Sequence, residues 1–271
     1  MHDLLNHPAV QAGLVPFIAA LVTAELLQRL RLSGLAIIAA FAATVYLTSD
    51  FGMVPFTGVR KIVWLGLGSS ALAIVLTLFN SSLWRPALAA LAAATAVWVG
   101  LRILQQHPIT EALEWGVACA LYVGWLVYWF DGLRDDPVAA GSAGFALGFG
   151  TGGAALLGSS ALLGQFGLAL GAACSAYLLI QAISNSRLPC GRSFTLTLSL
   201  LAGLIGFQGV LSAQLPWYAL APLGLIPLVA MIPLAQVRAV WLQSLLLTVA
   251  TSICAAGAVY LTWRVEGSVP F

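Results

Sequence analysis

The stretch from Gly141 to Gly171 limits most what this chain can fold into, because it is apolar, uncharged and very rich in glycine. In water, glycine is the poorest helix former after proline. In a lipid bilayer, every backbone amide needs a partner within the protein, and a helix is nearly obligatory. Gly144, Gly148 and Gly152 recur every four residues, so they share one face of that helix. The sequence therefore predicts a tightly packed helix pair at this face, with sliding or rocking of the two helices as the alternative.

The rest of the chain has the same apolar character. Of its 271 residues, 61% are hydrophobic and only 7% are charged, and the mean hydropathy is +1.00, whereas soluble domains contain about 25% charged residues. These values predict an all-α, polytopic membrane protein whose main partner is the lipid bilayer. The net charge of +2 is spread singly along the chain, which argues against a nucleic-acid partner. The four cysteines have no metal-site or disulfide spacing, so no metal and no cofactor are predicted.

Charged residues, prolines and polar clusters divide the sequence into ten apolar segments, each of about 20 residues, the length that crosses a bilayer. The segments cover 9–28, 33–49, 59–80, 84–104, 111–131, 137–157, 160–184, 194–213, 217–235 and 238–263. The second is short, and the sixth and seventh are close together, so eight or nine spans are the alternative. The N-terminus lacks the basic region of a cleavable signal peptide, and the first segment is therefore expected to be a retained span.

The distribution of arginine and lysine over the loops predicts the orientation. With ten spans, seven basic residues fall on one side of the membrane and four on the other. The richer side is expected to face the cytoplasm, which puts both termini on the non-cytoplasmic side. The seven residues are Arg29, Arg31, Arg85, Arg134, Arg187, Arg192 and Arg238.

The two halves of the chain resemble each other at offsets of 130 to 132 residues. The matches run from Leu26, which aligns with Leu156, to Tyr128, which aligns with Tyr260. Because each half contains five spans, an odd number, the second half inserts in the opposite sense. The sequence therefore predicts two inverted five-helix repeats, 1–136 and 137–271, within one membrane domain. Many secondary transporters have this arrangement, with the substrate site where the halves meet.

Three stretches carry a family resemblance. They are SSLWRPALAALAAATAVWVG in the fourth span, ITEALEWGVACALYVGWLVY in the fifth, and LPWYALAPLGLIPLVAMIPL in the ninth. These stretches resemble EamA-type repeats of the drug/metabolite transporter superfamily. The resemblance implies ten short spans built as five plus five, and export of amino acids, nucleotide sugars or other small metabolites.

Glu25 is the best candidate for an interior charged group, since ionisable residues at membrane depth are costly and usually functional. A Glu turned toward the bundle interior could bind a proton or a cationic group of a substrate. The alternative is an ordinary pair with Arg29, four residues further along the helix, at the membrane interface. The acidic residues from Asp131 to Asp136 are assigned to a loop.

Uncharged polar residues supply the other candidates. Gln208, Gln243 and Ser244 lie within predicted spans and either hydrogen-bond between helices or line a substrate site. Pro222 and Pro227 fall inside the ninth span, where they remove amide donors and leave backbone carbonyls free, as in broken helices beside substrate paths.

Two functions from different classes follow. No phosphate loop, nucleophile elbow or HExxH spacing is present, so the protein is not expected to be an enzyme. The first hypothesis is a secondary transporter of the bacterial inner membrane that moves a small neutral or zwitterionic solute by alternating access. The second is a non-catalytic subunit that assembles or anchors a larger membrane complex. A homodimer and a complex with other membrane proteins both stay open.

Overall fold

Ten apolar helices follow one another in the computed structural model, which describes residues 7–30, 32–49, 51, 57–77, 84–158, 160–212, 215–233 and 239–266. They are α1 (Val15–Leu27), α2 (Ala36–Thr48), α3 (Gly58–Thr77), α4 (Trp84–Leu104), α5 (Ile109–Asp131), α6 (Pro137–Leu157), α7 (Ala161–Ser184), α8 (Gly191–Ser212), α9 (Leu220–Ala230) and α10 (Val240–Glu266). A π-helical turn, Val10–Leu14, precedes α1, and no strand occurs within these described ranges.

Eight of the helices in the described part of the chain are long and apolar enough to cross a membrane. The two exceptions are α2 and α9, which reach only Ser33–Thr48 and Trp217–Ala230 when their 3-10 turns are included. The prediction of an all-α, multi-pass membrane bundle is therefore confirmed. Each of the ten predicted segments overlaps one helix. The ninth helix ends earlier than expected, at Ala230, and the predicted segment end at 235 lies outside the described residues.

The helices alternate in direction, so the bundle has two ends. At one end, Ser33 Oγ donates a hydrogen bond to the carbonyl of Pro189 at 2.5 Å, which joins the α1–α2 turn to the α7–α8 turn. At the same end, Asn185 closes α7 in the left-handed conformation (φ 47°), and its Oδ1 accepts a hydrogen bond from the Val240 amide at 3.1 Å. We call this end, where α8 and α10 begin, the polar end; the other is the opposite end.

Helix α8 forms the centre of the bundle. It packs against α3, α5 and α6, with further contacts to α4 and α7. In its apolar window, 89% of the residues are buried, against 22% in the window of α1 and 28% in that of α10. A helix inside a membrane bundle is apolar all round because it meets protein on every side. Helix α8 is therefore the element around which the other helices are arranged.

Helices α6 and α7 make the closest contact in the structure, along the predicted glycine face. A Cβ atom on Gly148 would overlap the backbone of Gly171, and one on Gly152 would lie 2.5 Å from the amide nitrogen of Leu168. On Gly144, a Cβ atom would lie 2.6 Å from Cys174 Sγ. Gly148 and Gly152 thus let two helix backbones meet, which is how helices associate in lipid without a hydrophobic driving force, and Gly144 leaves room for the side chains of Cys174 on α7 and Leu198 on α8.

The contacts between helices can be compared with the predicted repeats, in which α1 to α5 would correspond to α6 to α10. Helix α2 packs on α7 and α3 packs on α8, so each of these contacts joins two helices that would correspond. Helix α4 packs on α5, and α9 packs on α10. In contrast, α6 packs extensively on α10, whereas α1 and α5, the equivalent helices of the first half, do not pack in this way. The second half is thus the more compact one.

We expect Gly148→Ala to lower the free energy of unfolding by about 1–3 kcal/mol, the range for overpacking a dense interior. The added methyl group meets the backbone of α7, which has no side chain that can rotate away. Thermal unfolding of the purified protein in detergent measures the effect.

Gly153→Ala is the matched control, because the nearest atom to its new Cβ is a side-chain methyl of Val259 at 3.1 Å. That methyl group can shift, and alanine favours the helix. Equal loss of stability in the two variants would contradict the assignment of the α6–α7 contact as the tight one.

Candidate functional site

Glu25, the expected interior charge, lies exposed on the surface of the bundle near the end of α1. Its Oε2 accepts a hydrogen bond of 2.7 Å from Gln28 Nε2, so the contact is with Gln28 rather than with Arg29. A carboxylate that faces outward at a helix end keeps its hydration. Glu25 therefore does not point into the interior, contrary to the functional interpretation of the sequence.

Gln208 and Gln243 lie at different ends of the bundle. Gln208 is seventeen residues into α8, about 25 Å from the polar end at 1.5 Å per residue, and its amide lies against Gly58. Gln243 is at the polar end, where its Oε1 accepts a hydrogen bond from Arg187 Nη2 at 3.0 Å. These two side chains are buried but do not share a site.

Ser244 belongs to a polar seam between α6 and α10, which consists of Ser142, Ser244, Thr248 and Thr251. Thr248 Oγ1 donates to Ser142 Oγ at 3.2 Å, and Thr251 Oγ1 donates to the carbonyl of Ser142 at 3.2 Å. Ser142 Oγ lies 3.4 Å from the carbonyl of Ser244, which accepts its hydrogen bond. Such interhelical bonds contribute about 0.6 kcal/mol each in membranes. The seam therefore joins two helices, while the buried Ser244 Oγ itself has no hydrogen-bond partner among the described residues.

A buried ion pair joins α5 to α8 at the polar end. Asp131, the last residue of α5, lies 3.2 Å from Arg192 Nε at the start of α8 and 3.4 Å from Arg134 Nη1. Asp131 and Arg192 are both at most 5% exposed. The sequence analysis assigned Asp131 to a loop, and the correction is that it is a buried partner of α8. Buried charges need such partners because each loses its water.

Cys190 lies in the turn before α8, yet it is buried. Its Sγ donates to the carbonyl of Arg134 at 2.9 Å. Burial raises the pKa of this thiol to about 12, because a thiolate would lose its hydration in this position. The thiol is therefore protonated and unreactive at physiological pH. Its contact adds to the links between the α5–α6 and α7–α8 turns.

A cavity of about 550 Å³ lies between α5, α8 and α9. We call it the aromatic cavity, because aromatic residues of α5, of α8 and of the turn before α9 line it. Its lining includes Trp115, Tyr122 and Trp125 of α5, Phe207 of α8, and Trp217 and Gly224 at α9. No charged residue is among its described lining. A pocket of this size and character is typical of sites for small molecules.

Two hydroxyl groups beside the aromatic cavity have no hydrogen-bond partner among the described residues. They are the buried Tyr122 hydroxyl and Thr151 Oγ1. Both side chains lie against Gly206, where an added Cβ atom would be 3.6 Å from the Tyr122 oxygen and 3.6 Å from Thr151 Cγ2. An unpaired buried hydroxyl costs about 1–3 kcal/mol. Both oxygens are inaccessible, so they lie behind the wall of the cavity rather than in its open space.

Helix α9 forms the third wall and is interrupted by proline. Pro227 lies inside α9 and has no amide hydrogen, so the carbonyl four residues earlier loses its helical partner. Trp125 Nε1 donates to the carbonyl of Gly224 at 2.9 Å, which joins α5 to α9 across the cavity. The indole N–H of Trp125 therefore already has a hydrogen-bond acceptor. Of the two prolines predicted inside the ninth span, Pro227 lies in the interior of α9 and Pro222 lies in its first turn.

The residues of α5 that line the aromatic cavity were not selected by the sequence analysis. Trp115, Tyr122 and Trp125 are spaced seven and three residues apart, which puts them on one helical face. That spacing is the feature of the sequence that could have identified these residues. Aromatic residues are common in membrane helices, however, so the spacing alone does not indicate a binding site. Among the described residues, no group of three or more His, Cys, Asp or Glu side chains could hold a metal ion.

Comparisons with known proteins identified no similar protein whose site could be compared with this one. A scan against protein-family models, a search of curated proteins and a search of solved structures each found no match to the chain. The function of the site is therefore argued from its geometry and chemistry.

Asp131→Asn is expected to lower the free energy of unfolding by about 3 kcal/mol, because it removes the carboxylate charge that lies 3.2 Å from the buried Arg192. Asp135→Asn is the control: this carboxylate also contacts Arg134, at 3.3 Å, but its side chain is 87% exposed. Unfolding in detergent should distinguish the two variants clearly. Similar, small losses of stability in both variants would mean that the buried Asp131–Arg192 pair does not stabilise the polar end.

Cys190 is expected to resist a membrane-impermeant maleimide between pH 7 and pH 9, since its pKa of about 12 leaves almost no thiolate there. The control is Ser186→Cys in a Cys190→Ser background, because position 186 is exposed in the same turn. Mass spectrometry of the labelled, folded protein measures the modification. Rapid labelling of Cys190 at pH 7 would show that the turn is open.

Proposed function

We propose that this protein is a secondary transporter that moves a small uncharged solute across the membrane by alternating access. The observation that carries the proposal is the position of the aromatic cavity. Tyr122 and Trp125 come from residues 1–136, whereas Phe207 and Gly224 come from residues 137–271. The cavity therefore lies between the two predicted halves, and inverted-repeat transporters bind their substrates at such an interface.

The chemistry of the aromatic cavity supports a solute without charge. Its described lining contains no Asp, Glu, Lys or Arg, so a zwitterion would enter it without partners for its charges. This narrows the sequence-based expectation of a neutral or zwitterionic solute to a neutral one.

Alternating access needs parts that move and parts that stay together. The backbone contact of α6 with α7 favours movement of these two helices as one unit rather than sliding along the glycine face. Movement is proposed instead between the halves, where α5 meets α8 and α9. The short helix α9, interrupted at Pro227, is the element best suited to bend. Two inverted repeats and the EamA-type resemblance are part of this proposal.

The membrane and the orientation are also proposed. Arg29, Arg85, Arg134, Arg187 and Arg192 lie at helix ends or turns of the polar end. Because basic residues concentrate on the cytoplasmic side, the polar end is proposed to face the cytoplasm of a bacterial cell, in the inner membrane. Arg31 and Arg238, which the same count includes, are outside the described residues.

A structural subunit of a larger membrane complex is the second candidate. A groove of about 490 Å³ follows the outer side of α6 and α10 and is lined by Phe145, Phe149, Tyr260 and Trp263, among others. A helix of another membrane protein could pack there. Purification in mild detergent separates the two candidates: a stoichiometric partner favours the subunit, and an isolated monomer or homodimer favours the transporter.

Reconstituted protein should catalyse saturable exchange of at least one labelled solute from a panel of uncharged sugars, nucleosides, amides and aromatic alcohols. Gly224→Leu is expected to lower that rate about tenfold, because the added side chain extends toward Trp125 and Tyr122 and fills part of the aromatic cavity. Gly257→Leu is the control, since Gly257 of α10 is not part of the cavity lining.

One result would overturn the transport proposal: the absence of saturable flux for the whole panel in vesicles that contain folded protein. Flux at the same rate in wild type and in Gly224→Leu would show that the solute does not pass through the aromatic cavity.

A further inference from the structure

A second cavity, of about 370 Å³, lies at the polar end. We call it the end cavity. It is lined by the α5–α6 turn, the α7–α8 turn, the end of α9 and the start of α10. Three of its lining side chains are polar: Asp136 precedes α6, Arg187 lies in the α7–α8 turn, and Gln243 lies in the first turn of α10. Unlike the aromatic cavity, the end cavity therefore has a charge of each sign in its wall.

Asp136 has one carboxylate oxygen in use and one available. Its Oδ1 accepts hydrogen bonds from the amides of Val138 and Ala139, both at 3.2 Å, and so caps the start of α6. Its Oδ2 has no hydrogen-bond partner in the described part of the chain and is not enclosed. Because Oδ1 faces the backbone of α6, Oδ2 is the oxygen that can accept a hydrogen bond from a ligand.

Arg187 and Gln243 supply donors to the same cavity. Arg187 Nη2 donates to Gln243 Oε1 at 3.0 Å, and its Nε and Nη1 groups have no partner among the described residues. Gln243 is only 6% exposed, yet its Nε2 is accessible and also has no described partner. A guanidinium group beside an amide N–H suits the oxygens of a phosphate or a carboxylate.

The two charges of the end cavity do not neutralise each other. Asp136 and Arg187 line one cavity but form no ion pair with each other. A simple anion at Arg187 would lie in the same cavity as the carboxylate of Asp136, and a simple cation at Asp136 would share it with the guanidinium group. Charges of like sign in one site disfavour binding. A ligand that carries one charge of each sign pairs with both side chains.

The surroundings place the end cavity at the level of lipid headgroups. Arg85 lies 4.0 Å from the ring centre of Tyr128 and 5.5 Å from that of Trp129, in the last turn of α5. Its Nη2 is also close to Gly132 of the lining, where an added Cβ atom would be 3.0 Å away. Tryptophan and tyrosine concentrate at the membrane–water interface. Ile232, another lining residue, is 53% exposed and offers apolar surface to an acyl chain.

We infer that the end cavity binds the headgroup of a zwitterionic phospholipid whose cation is a primary ammonium, as in phosphatidylethanolamine. The phosphate accepts hydrogen bonds from Arg187 and Gln243 Nε2, and the ammonium donates to Asp136 Oδ2. The acyl chains remain in the bilayer beside Ile232. This inference is independent of transport, because the end cavity and the aromatic cavity share no lining residue.

The test compares phosphatidylethanolamine with phosphatidylcholine of the same palmitoyl and oleoyl chains. Both carry a phosphate and a positive nitrogen, but the quaternary nitrogen of choline has no N–H to donate. Native mass spectrometry of the delipidated full-length protein in detergent measures the apparent affinity for each lipid. The ethanolamine lipid should bind about tenfold more tightly, the factor expected for one charge-assisted hydrogen bond. Phosphatidylglycerol, an anion without an ammonium group, should also bind more weakly than the ethanolamine lipid.

Asp136→Asn should abolish the preference for ethanolamine over choline. Asparagine caps a helix as well as aspartate does, so this variant removes the charge and keeps the start of α6. Asp135→Asn is the matched control, because Asp135 is in the same turn but is exposed and does not line the cavity. It should keep the preference.

Arg187→Gln should weaken the binding of both lipids about tenfold, because both use the phosphate contact. Arg29→Gln is the matched control, since Arg29 is an exposed arginine of the polar end outside the lining of the cavity. It should change neither affinity.

Four outcomes would overturn the inference. Two of them concern the ammonium group: equal affinity of wild type for the ethanolamine and choline lipids, or a preference for ethanolamine that persists in Asp136→Asn. Tighter binding of phosphatidylglycerol would identify a site for anions instead. Glycerophosphoethanolamine, which is the same headgroup without acyl chains, should compete only weakly. Competition as strong as that of the intact lipid would show that the cavity takes a water-soluble zwitterion.

Discussion

The absence of water in the bilayer interior is the constraint on which this structure depends. Because each backbone amide must be paired within the protein, the chain forms helices even where glycine disfavours them. Once the helices have formed, no hydrophobic force brings them together, because the lipid tails are as apolar as the helix side chains. Association therefore depends on close packing. The glycine face of α6 meets the backbone of α7, and α8 is enclosed by its neighbours.

The same constraint separates paired polar groups from unpaired ones. In the seam between α6 and α10, the hydroxyls of Thr248 and Thr251 donate to Ser142, and the helices are joined. Beside α8, the hydroxyls of Tyr122 and Thr151 have no partner among the described residues. Paired groups hold helices in place. Unpaired buried groups lower the stability of the fold.

The polar end and the aromatic cavity have different physical roles. At the polar end, the Asp131–Arg192 pair, the buried Cys190 and the bond from Asn185 to α10 hold the turns together. Each of these groups already has a partner, and the arrangement is typical of a rigid cap. The aromatic cavity, in contrast, lies beside the short, proline-interrupted helix α9. Stability and solute binding are thus assigned to separate parts of the bundle.

By itself, the sequence determined the helices, most of their boundaries and the glycine face of Gly144, Gly148 and Gly152, because apolar length and residue size depend only on local composition. Tertiary structure alone decided which side of each helix faces inward. In a soluble helix the polar face reveals this, but in a membrane helix the lipid-facing side is as apolar as the buried one. Glu25 therefore faces outward, and Gln208 and Gln243 lie at opposite ends. For the same reason, the meeting of Tyr122 with α8 and α9 depended on packing between segments far apart in the chain.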